Sequence, residues 1–307
     1  MNQFTKKEFL KKELLKEDLI YKNVLNKDST QEVADFYKTS PFPNYKKNDN
    51  KLTILEKGDK NFLPSNFKKF IGFNKKVLEV GCGTGQIALY FSIGTNNRVV
   101  GLDATIDSLK LANNFAKKNE IHNVNFVNAD IFDDVLQDNF FDFIWCNGVL
   151  HHTKNPYEAF KIVTKSLKNK GYILVGLYNR IGRIRTIIRK YIYKIFGTKL
   201  LIFLDPTLRN LKLDKEEKIS WIRDQYHHPI ESLHTIDEVL RWFSKNNIDF
   251  INSIPQSAFD EKSADNLFAK KSKGSLFSRL FNQFNMIFNN LGSDGGLFLV
   301  IGMKNES

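Results

Sequence analysis

Apolar and polar positions along this chain change period several times, and each change marks an element. From residue 76 onward short apolar runs alternate with helical patterns. VLEV (77–80) leads into a helix from about Thr84, and VVGLD (99–103) into one over about 106–118. VNFVNAD (124–130) and FDFIWCNG (141–148) are followed by a helix over about 156–167 and by YILVGLY (172–178). Apolar runs this short, separated by helices, read as βαβ units around a parallel sheet. A later helix over 236–245, with FINSIP (250–255) and LFLVIGM (297–303) after it, supplies two closing strands. No internal repeat is visible.

Four segments stand outside this alternation. At the N-terminus Thr5 and Glu8 form a capping box, Phe4 and Phe9 a hydrophobic staple, and Leu10, Leu14, Leu15 and Leu19 a stripe. Together they predict a charged helix over about 6–26. In DFYKTSPFPNY (35–45), Pro41 and Pro43 rule out a helix. This aromatic stretch reads as a gate in which Tyr37, Phe42 and Tyr45 cover a ligand. Residues 179–234 open with NRIGRIRTIIRKYIYKIFG, where Ile181, Ile184, Ile188, Tyr191 and Ile195 share one apolar face and Arg183, Arg185, Arg189 and Lys194 lie largely off it. That pattern predicts an inserted helical cap. Residues 256–296 mix Ser, Asn and Lys with the helical pattern LFSRLFNQFNMIF and read as a surface insertion between the last two strands. The expected organisation is an arm and gate over 1–50, a core over 51–178, a cap over 179–234, and the rest of the core over 235–307.

Composition narrows the class. With 307 residues and 42% hydrophobic content the chain can bury a substantial core. Its formal charge of +12 comes from lysines dispersed among acids and asparagines, which suits a solvated surface better than a nucleic-acid track. Two cysteines, Cys82 and Cys146, build neither a disulfide framework nor a thiolate cluster and fit a reducing cytoplasm. Acids interrupt the N-terminal apolar positions and no run reaches membrane-spanning length, so a soluble chain is expected.

The chemistry gathers at the strand ends. Glycines at Gly81, Gly83 and Gly85 follow the first core strand with spacing G-x-G-x-G. A dinucleotide fingerprint needs a glycine at position 86, where this chain has Gln86. Glu79, two residues before Gly81, would repel a pyrophosphate and attract an ammonium group. Asp103 ends the next strand, placed to take two ribose hydroxyls, a feature shared by both kinds of cofactor. Asp130 and Ile131 end the third, a carboxylate for an exocyclic amine beside an apolar face for a ring. Asn147 ends the fourth. Ligands of open α/β sheets bind outside the carboxyl ends of the strands, so these residues share one rim.

On LEVGCGTGQ (78–86), GLD (101–103), NADIF (128–132) and FDFIWCNGVLHHTKNP (141–156), the sequence resembles the class I S-adenosylmethionine-dependent methyltransferases over roughly 36–178. A subgroup with an F-Y-x-x-x-P-F-P-N-Y segment and a GLYN-x-x-GR sequence is also similar. The resemblance implies a Rossmann-like, mostly parallel sheet of seven strands with a reversed terminal hairpin. It also implies S-adenosylmethionine as cofactor, contacts from Glu79, Gly81, Gly83, Asp103 and Asp130, and transfer of a methyl group. Cys82, Gly85, Gln86, Ala104, Ile131, Asn147 and Tyr37 complete the expected cofactor contacts.

Methyl transfer is an in-line displacement, so catalysis requires placement of the acceptor and exclusion of water, with a base only where the acceptor must lose a proton. His151 and His152 follow the fourth strand, and the segment DQYHHPIESLH (224–234) adds Tyr226 and His228. These four are the catalytic candidates, although a helix cap or a packed ring explains each histidine equally well. The histidine spacing matches no tight metal motif, and no metal is expected. Tyr45, Arg180 and Arg183 are the candidates for binding the acceptor; an exposed basic face there would equally suit a membrane surface. A chain-supplied cap suggests a small enclosed acceptor, carboxylated or lipid-like, with nucleic acid not expected as a partner. The alternatives are a tRNA or protein methyltransferase and, in another class, a non-catalytic cofactor-binding regulator.

Overall fold

A computed structural model describes residues 3–23, 44–210, 214–259, 266–293 and 295–306. Three short strands come first: β1 (Gln3–Thr5), β2 (Leu14–Glu17) and β3 (Ile20–Lys22). Helices α1 (Lys51–Lys60) and α2 (Phe62–Ile71) lead into the alternating core. That core runs β4 (Lys76–Val80), α3 (Gln86–Ser92), β5 (Arg98–Asp103), α4 (Ile106–Lys118), β6 (Val124–Asn128), β7 (Phe141–Asn147), α5 (Pro156–Lys165) and β8 (Leu167–Tyr178). Then come α6 (Ile184–Leu204), α7 (Pro206–Arg209), α8 (Lys215–Tyr226), α9 (Ile236–Lys245) and β9 (Ile248–Ile254). The chain closes with α10 (Leu276–Asn285), α11 (Asn290–Ser293) and β10 (Leu297–Lys304).

The sheet order is β1-β2-β3-β6-β5-β4-β7-β8-β10-β9. β6, β5, β4, β7 and β8 pair in parallel, and β10 lies antiparallel between β8 and β9. Helices cover both faces, which is why the inner strands read as continuous apolar runs. Alternate residues of each strand enter opposite cores. Leu78, Val100 and Ile144 join Phe160 and Phe243 on one face, while Val77, Val99 and Phe143 join Phe67 and Leu89 on the other. The strand order reverses between β4 and β7, and the carboxyl ends that flank this point carry the candidate site.

The N-terminal segment departs from the helix expected there, and the sheet has ten strands where seven were expected. Over residues 3–23 the stripe leucines are used by strands instead. A tight turn with Asp18 at φ 54° joins β2 to β3, and β3 pairs in parallel with β6, Ile20 opposite Phe126. Phe9, Leu10, Leu14 and Tyr21 are buried in the core, and Leu10 bridges to Leu136. The physical reason is long-range: β6 would otherwise present an open edge, and pairing it satisfies backbone groups that a solvated helical arm would leave exposed. Glu8 pairs with Arg98 and Lys76 and does not act as a helix N-cap partner.

Residues between β9 and β10 are tied to the sheet's end. Gln283 of α10 accepts from the Asn179 side chain at 2.8 Å and from the Ile236 amide at 3.0 Å, and Arg279 pairs with Asp237 at 2.7 Å. Burial of Leu14 in the strand arrangement has a measurable consequence. Leu14→Ala is expected to cost about 2–5 kcal/mol, the cost of emptying a core position, in urea denaturation; a solvated arm would lose well under 1 kcal/mol.

Candidate functional site

One cavity of about 490 Å³ opens at the carboxyl ends of β4, β5, β6 and β7. Glu79, Gly81, Cys82, Gly83, Gln86, Asp103, Ala104, Asp130, Ile131 and Asn147 all line it. Gly81 and Gly85 have φ of 65° and 73°, conformations that L side chains rarely adopt. A Cβ on Gly81 would stand 2.4 Å from Val149, and one on Gly85 would meet Phe126 and Ala112 at 2.8 and 2.9 Å. Gly85 thus packs behind the cavity, at the start of α3, and lets the loop turn tightly.

Three carboxylates are set by backbone amides. Glu79 is buried and accepts from the Ala88 amide at 2.7 Å. Asp103 takes the Gly83 amide on one oxygen and the Thr105 amide on the other, each at 2.7 Å, which clamps the glycine loop to the end of β5. Asp130 accepts from the Phe132 amide at 3.0 Å and caps a short 3-10 turn. None of the three stands in an ion pair with a described residue. Burial pushes all three carboxyls above their ordinary range, and the amide bonds only partly oppose it. A cationic ligand relieves this cost and a pyrophosphate would raise it. The Asn147 Oδ1 atom is buried without a hydrogen-bond partner among the described residues. Gly176 makes room for it, since a Cβ there would lie 1.8 Å from that oxygen.

The far wall of the cavity is supplied by His152, Tyr178, Trp221, Gln225, Ile230 and Leu297. His152 Nδ1 lies 2.8 Å from the Ile230 carbonyl, which can only accept, so Nδ1 carries the hydrogen and Nε2 the lone pair. Burial pushes His152 down to about 4, so the ring is neutral at pH 7. The His228 ring stacks on it at 3.6 Å. His151 does not line the cavity. It is fully buried against Tyr178 at 4.0 Å, and burial first, then the neighbouring His152 and Arg183, push it well below the usual histidine range.

The remaining candidates have other surroundings. Tyr226 donates to Asp205 at 2.6 Å and packs with Leu201 and Leu208, away from the cavity. Tyr45 donates to the Thr84 carbonyl at 2.6 Å and stacks on Phe115 at 4.5 Å, supporting the glycine loop from behind. Tyr37 and Phe42 of the expected gate lie outside the described residues. Arg180 is exposed and donates to the Leu233 carbonyl at 3.3 Å.

Arg183, expected on an exposed basic face, is 1% exposed. Its Nε and Nη2 grip Glu231 at 2.9 and 2.7 Å, and its Nη1 donates to Gln225 and the Gly295 carbonyl at 2.9 and 2.6 Å. Its guanidinium carbon lies 3.5 Å from the Tyr178 ring centre. Burial alone would raise the Glu231 carboxyl, but the bidentate Arg183 contact holds it below its ordinary range. Of the cavity residues that sequence reasoning missed, Gln225 is held directly by this clamp and Ile230 precedes its Glu231, while Trp221 donates to Asp205 at 3.0 Å. No local motif marks them, although the GLYN segment did contain Tyr178.

Two measurements follow. Arg183→Met leaves Glu231 without its partner, and a loss of about 3–5 kcal/mol is expected in urea denaturation. His152 favours the neutral form when folded, and an unfolded histidine titrates near 6.5. Below that value the unfolded state gains a proton that the folded state refuses. Stability should therefore fall by about 3 kcal/mol between pH 6.5 and pH 4 on account of this ring, and His152→Gln should flatten that part of the curve.

Comparison with known proteins bears on the domain that carries this cavity. The family model described as "Methyltransferase domain" matches residues 71–190. The chain is 25% identical over 182 residues to a ubiquinone biosynthesis O-methyltransferase of Glaesserella parasuis serovar 5 (strain SH0165), covering 58% of this chain and 66% of that one. It is 33% identical over 104 residues to the uncharacterized methyltransferase YcgJ of Bacillus subtilis (strain 168), covering 34% of this chain and 41% of that one. The chain thus spans less than two thirds of the length of these relatives. In fold it is similar to PKMT2 from Rickettsia typhi, with a TM-score of 0.56 at 16% identity over 80% of this chain and 53% of that one. It is also similar to the [4+2]-cyclase SpnF, with a TM-score of 0.50 at 14% identity over 91% and 94%. Residues 71–190 are thus a methyltransferase domain, and over that stretch the strand order and the curated relatives agree with the class I S-adenosylmethionine-dependent methyltransferases.

Proposed function

We propose that this protein uses S-adenosylmethionine to methylate a small molecule held in the same cavity as the cofactor. The observation that carries this reading is that the cavity has two unlike walls. Three desolvated carboxylates and a glycine loop form one, and His152, Tyr178, Trp221, Gln225 and Ile230 form the other. The first wall suits the cofactor. Glu79 would hold the ammonium end, Asp103 the ribose hydroxyls and Asp130 the adenine amine, with Ile131 against the ring. When bound, S-adenosylmethionine supplies an electrophilic methyl on a sulfonium sulfur.

The second wall suits a small, partly apolar acceptor. Trp221 and Ile230 offer apolar contact, and Gln225 and Tyr178 are held by their mutual hydrogen bond at 2.8 Å. His152, neutral and with its lone pair on Nε2, accepts a hydrogen bond from an acceptor hydroxyl or amine and orients its lone pair for in-line attack. A ring with so low a pKa is a weak base, so its contribution is orientation more than deprotonation. Helices α6 to α8 bring Trp221 and Gln225 over the sheet edge, and their role as a cap that excludes water is part of this proposal.

Asp103→Ala removes charge-assisted bonds to the cofactor and the clamp on Gly83, so calorimetry should show a cofactor affinity lower by about 10–100-fold. Incubation of a cell extract with the enzyme and methyl-labelled cofactor should place label in the small-molecule fraction. Label confined to tRNA or protein would overturn the acceptor class. Cofactor binding with no label transferred to any fraction would favour a regulator.

A further inference from the structure

Two helices of this chain are built inside out. On α10, Ser278 and Gln283 are buried and Arg279 is paired with Asp237, while Leu276, Phe277, Leu280, Phe281 and Phe284 face solvent. Phe277 is 70% exposed, and Phe288, just beyond the helix, 72%. The exposed positions recur at one-turn spacing, so they form a stripe along the helix. On α6 up to Gly197, where the backbone breaks (φ 73°, ψ −169°), Arg189 is buried and Arg183, just before the helix, turns inward, whereas Ile184, Ile188, Tyr191 and Ile195 are exposed. The apolar face that the sequence pattern defined along this helix therefore points outward. The start of α6 reaches the 3-10 turn just beyond α10, where Arg185 donates to the Ile287 carbonyl at 3.2 Å and Gly182 backs onto Met286.

Charge identifies the occupant. Residues 171–204 contain no Asp or Glu, and neither do residues 266–293. Both stretches carry cations: Lys194 and Lys199 are exposed on either side of Gly197 in α6, and before α10 Lys273 is exposed while Lys270 pairs with Asp249 at 3.9 Å. Exposed aromatics beside lysines, with no carboxylate in either stretch, match the boundary of a bilayer whose headgroups are anionic. A second copy of the chain would bring like charges together over the same face. Among the described residues no helix is long and apolar enough to cross a membrane, so the arrangement suits a seat on the surface.

We propose that the outward faces of α6 and α10 form one docking surface that seats this protein on an anionic lipid bilayer. The face lies outside the cavity, and the inference does not depend on which acceptor is methylated. Flotation of the full chain with vesicles tests it, comparing phosphatidylcholine alone with phosphatidylcholine containing about one third phosphatidylglycerol. The chain should float with the anionic vesicles, remain behind with the neutral ones, and release as salt is raised. Phe277→Ser/Phe281→Ser and Lys194→Glu/Lys199→Glu should each lower the bound fraction about tenfold, with both variants still unfolding cooperatively in urea like the parent. Absence of binding to anionic vesicles, equal binding to both kinds, or binding unchanged by both variants would overturn the proposal. So would a concentration-dependent dimer in sedimentation that the phenylalanine variant abolishes, since the face would then belong to a second copy.

Discussion

The buried guanidinium of Arg183 holds together parts of the molecule that are far apart in the chain. It stacks on Tyr178 at the end of β8, grips Glu231 with two bonds, and donates to Gln225 of α8 and to the Gly295 carbonyl before β10. A charge taken out of water is tolerated only when its hydrogens are satisfied, and here the partners come from the helical insertion, the loop after it and the last strand's approach. The clamp therefore fixes the second wall of the cavity. Gln225 and Ile230 stand where they do because residues beside them are held by one cation, and His152 takes its tautomer from the Ile230 carbonyl.

The opposite wall rests on the reverse electrostatic situation. Glu79, Asp103 and Asp130 are held by amides, without a paired cation among the described residues, and their desolvation leaves negative potential facing the cavity. One wall has its charge neutralised within the protein and the other has it held ready for a cationic ligand. That asymmetry makes the two walls of the cavity electrostatically distinct.

Inward-turning arginines also account for the outward apolar faces. Once Arg183 and Arg189 are buried near the start of α6, the helix's phase is set, and Ile184, Ile188 and Tyr191 must face away. The helix period permits no other outcome, because residues three and four apart share a face. The same element thus turns buried arginines inward with one side and offers an apolar surface to the outside with the other.

Much of the core was legible in the sequence because its signals are local. Apolar runs of strand length alternating with helical periods indicated the parallel sheet, and the displaced third glycine with Glu79, Asp103, Asp130 and Asn147 located one wall of the cavity. Those residues follow directly from strand ends, and any open sheet of this kind brings strand ends to one rim. What lay beyond reach depended on partners distant in the chain. Leu10, Leu14 and Leu15 satisfy a helical period as well as a strand, and only the unpaired edge of β6 decides for the strand. Tyr45 shows aromatic character but not that its hydroxyl is already spent on Thr84. Arg183 reads as a surface cation until Glu231, 48 residues later, and Gly295, 112 residues later, arrive beside it. The sequence by itself determined the alternation and the cofactor rim. Tertiary structure alone decided which charges are buried, and through them which faces of the added helices point to the cavity and which to the outside.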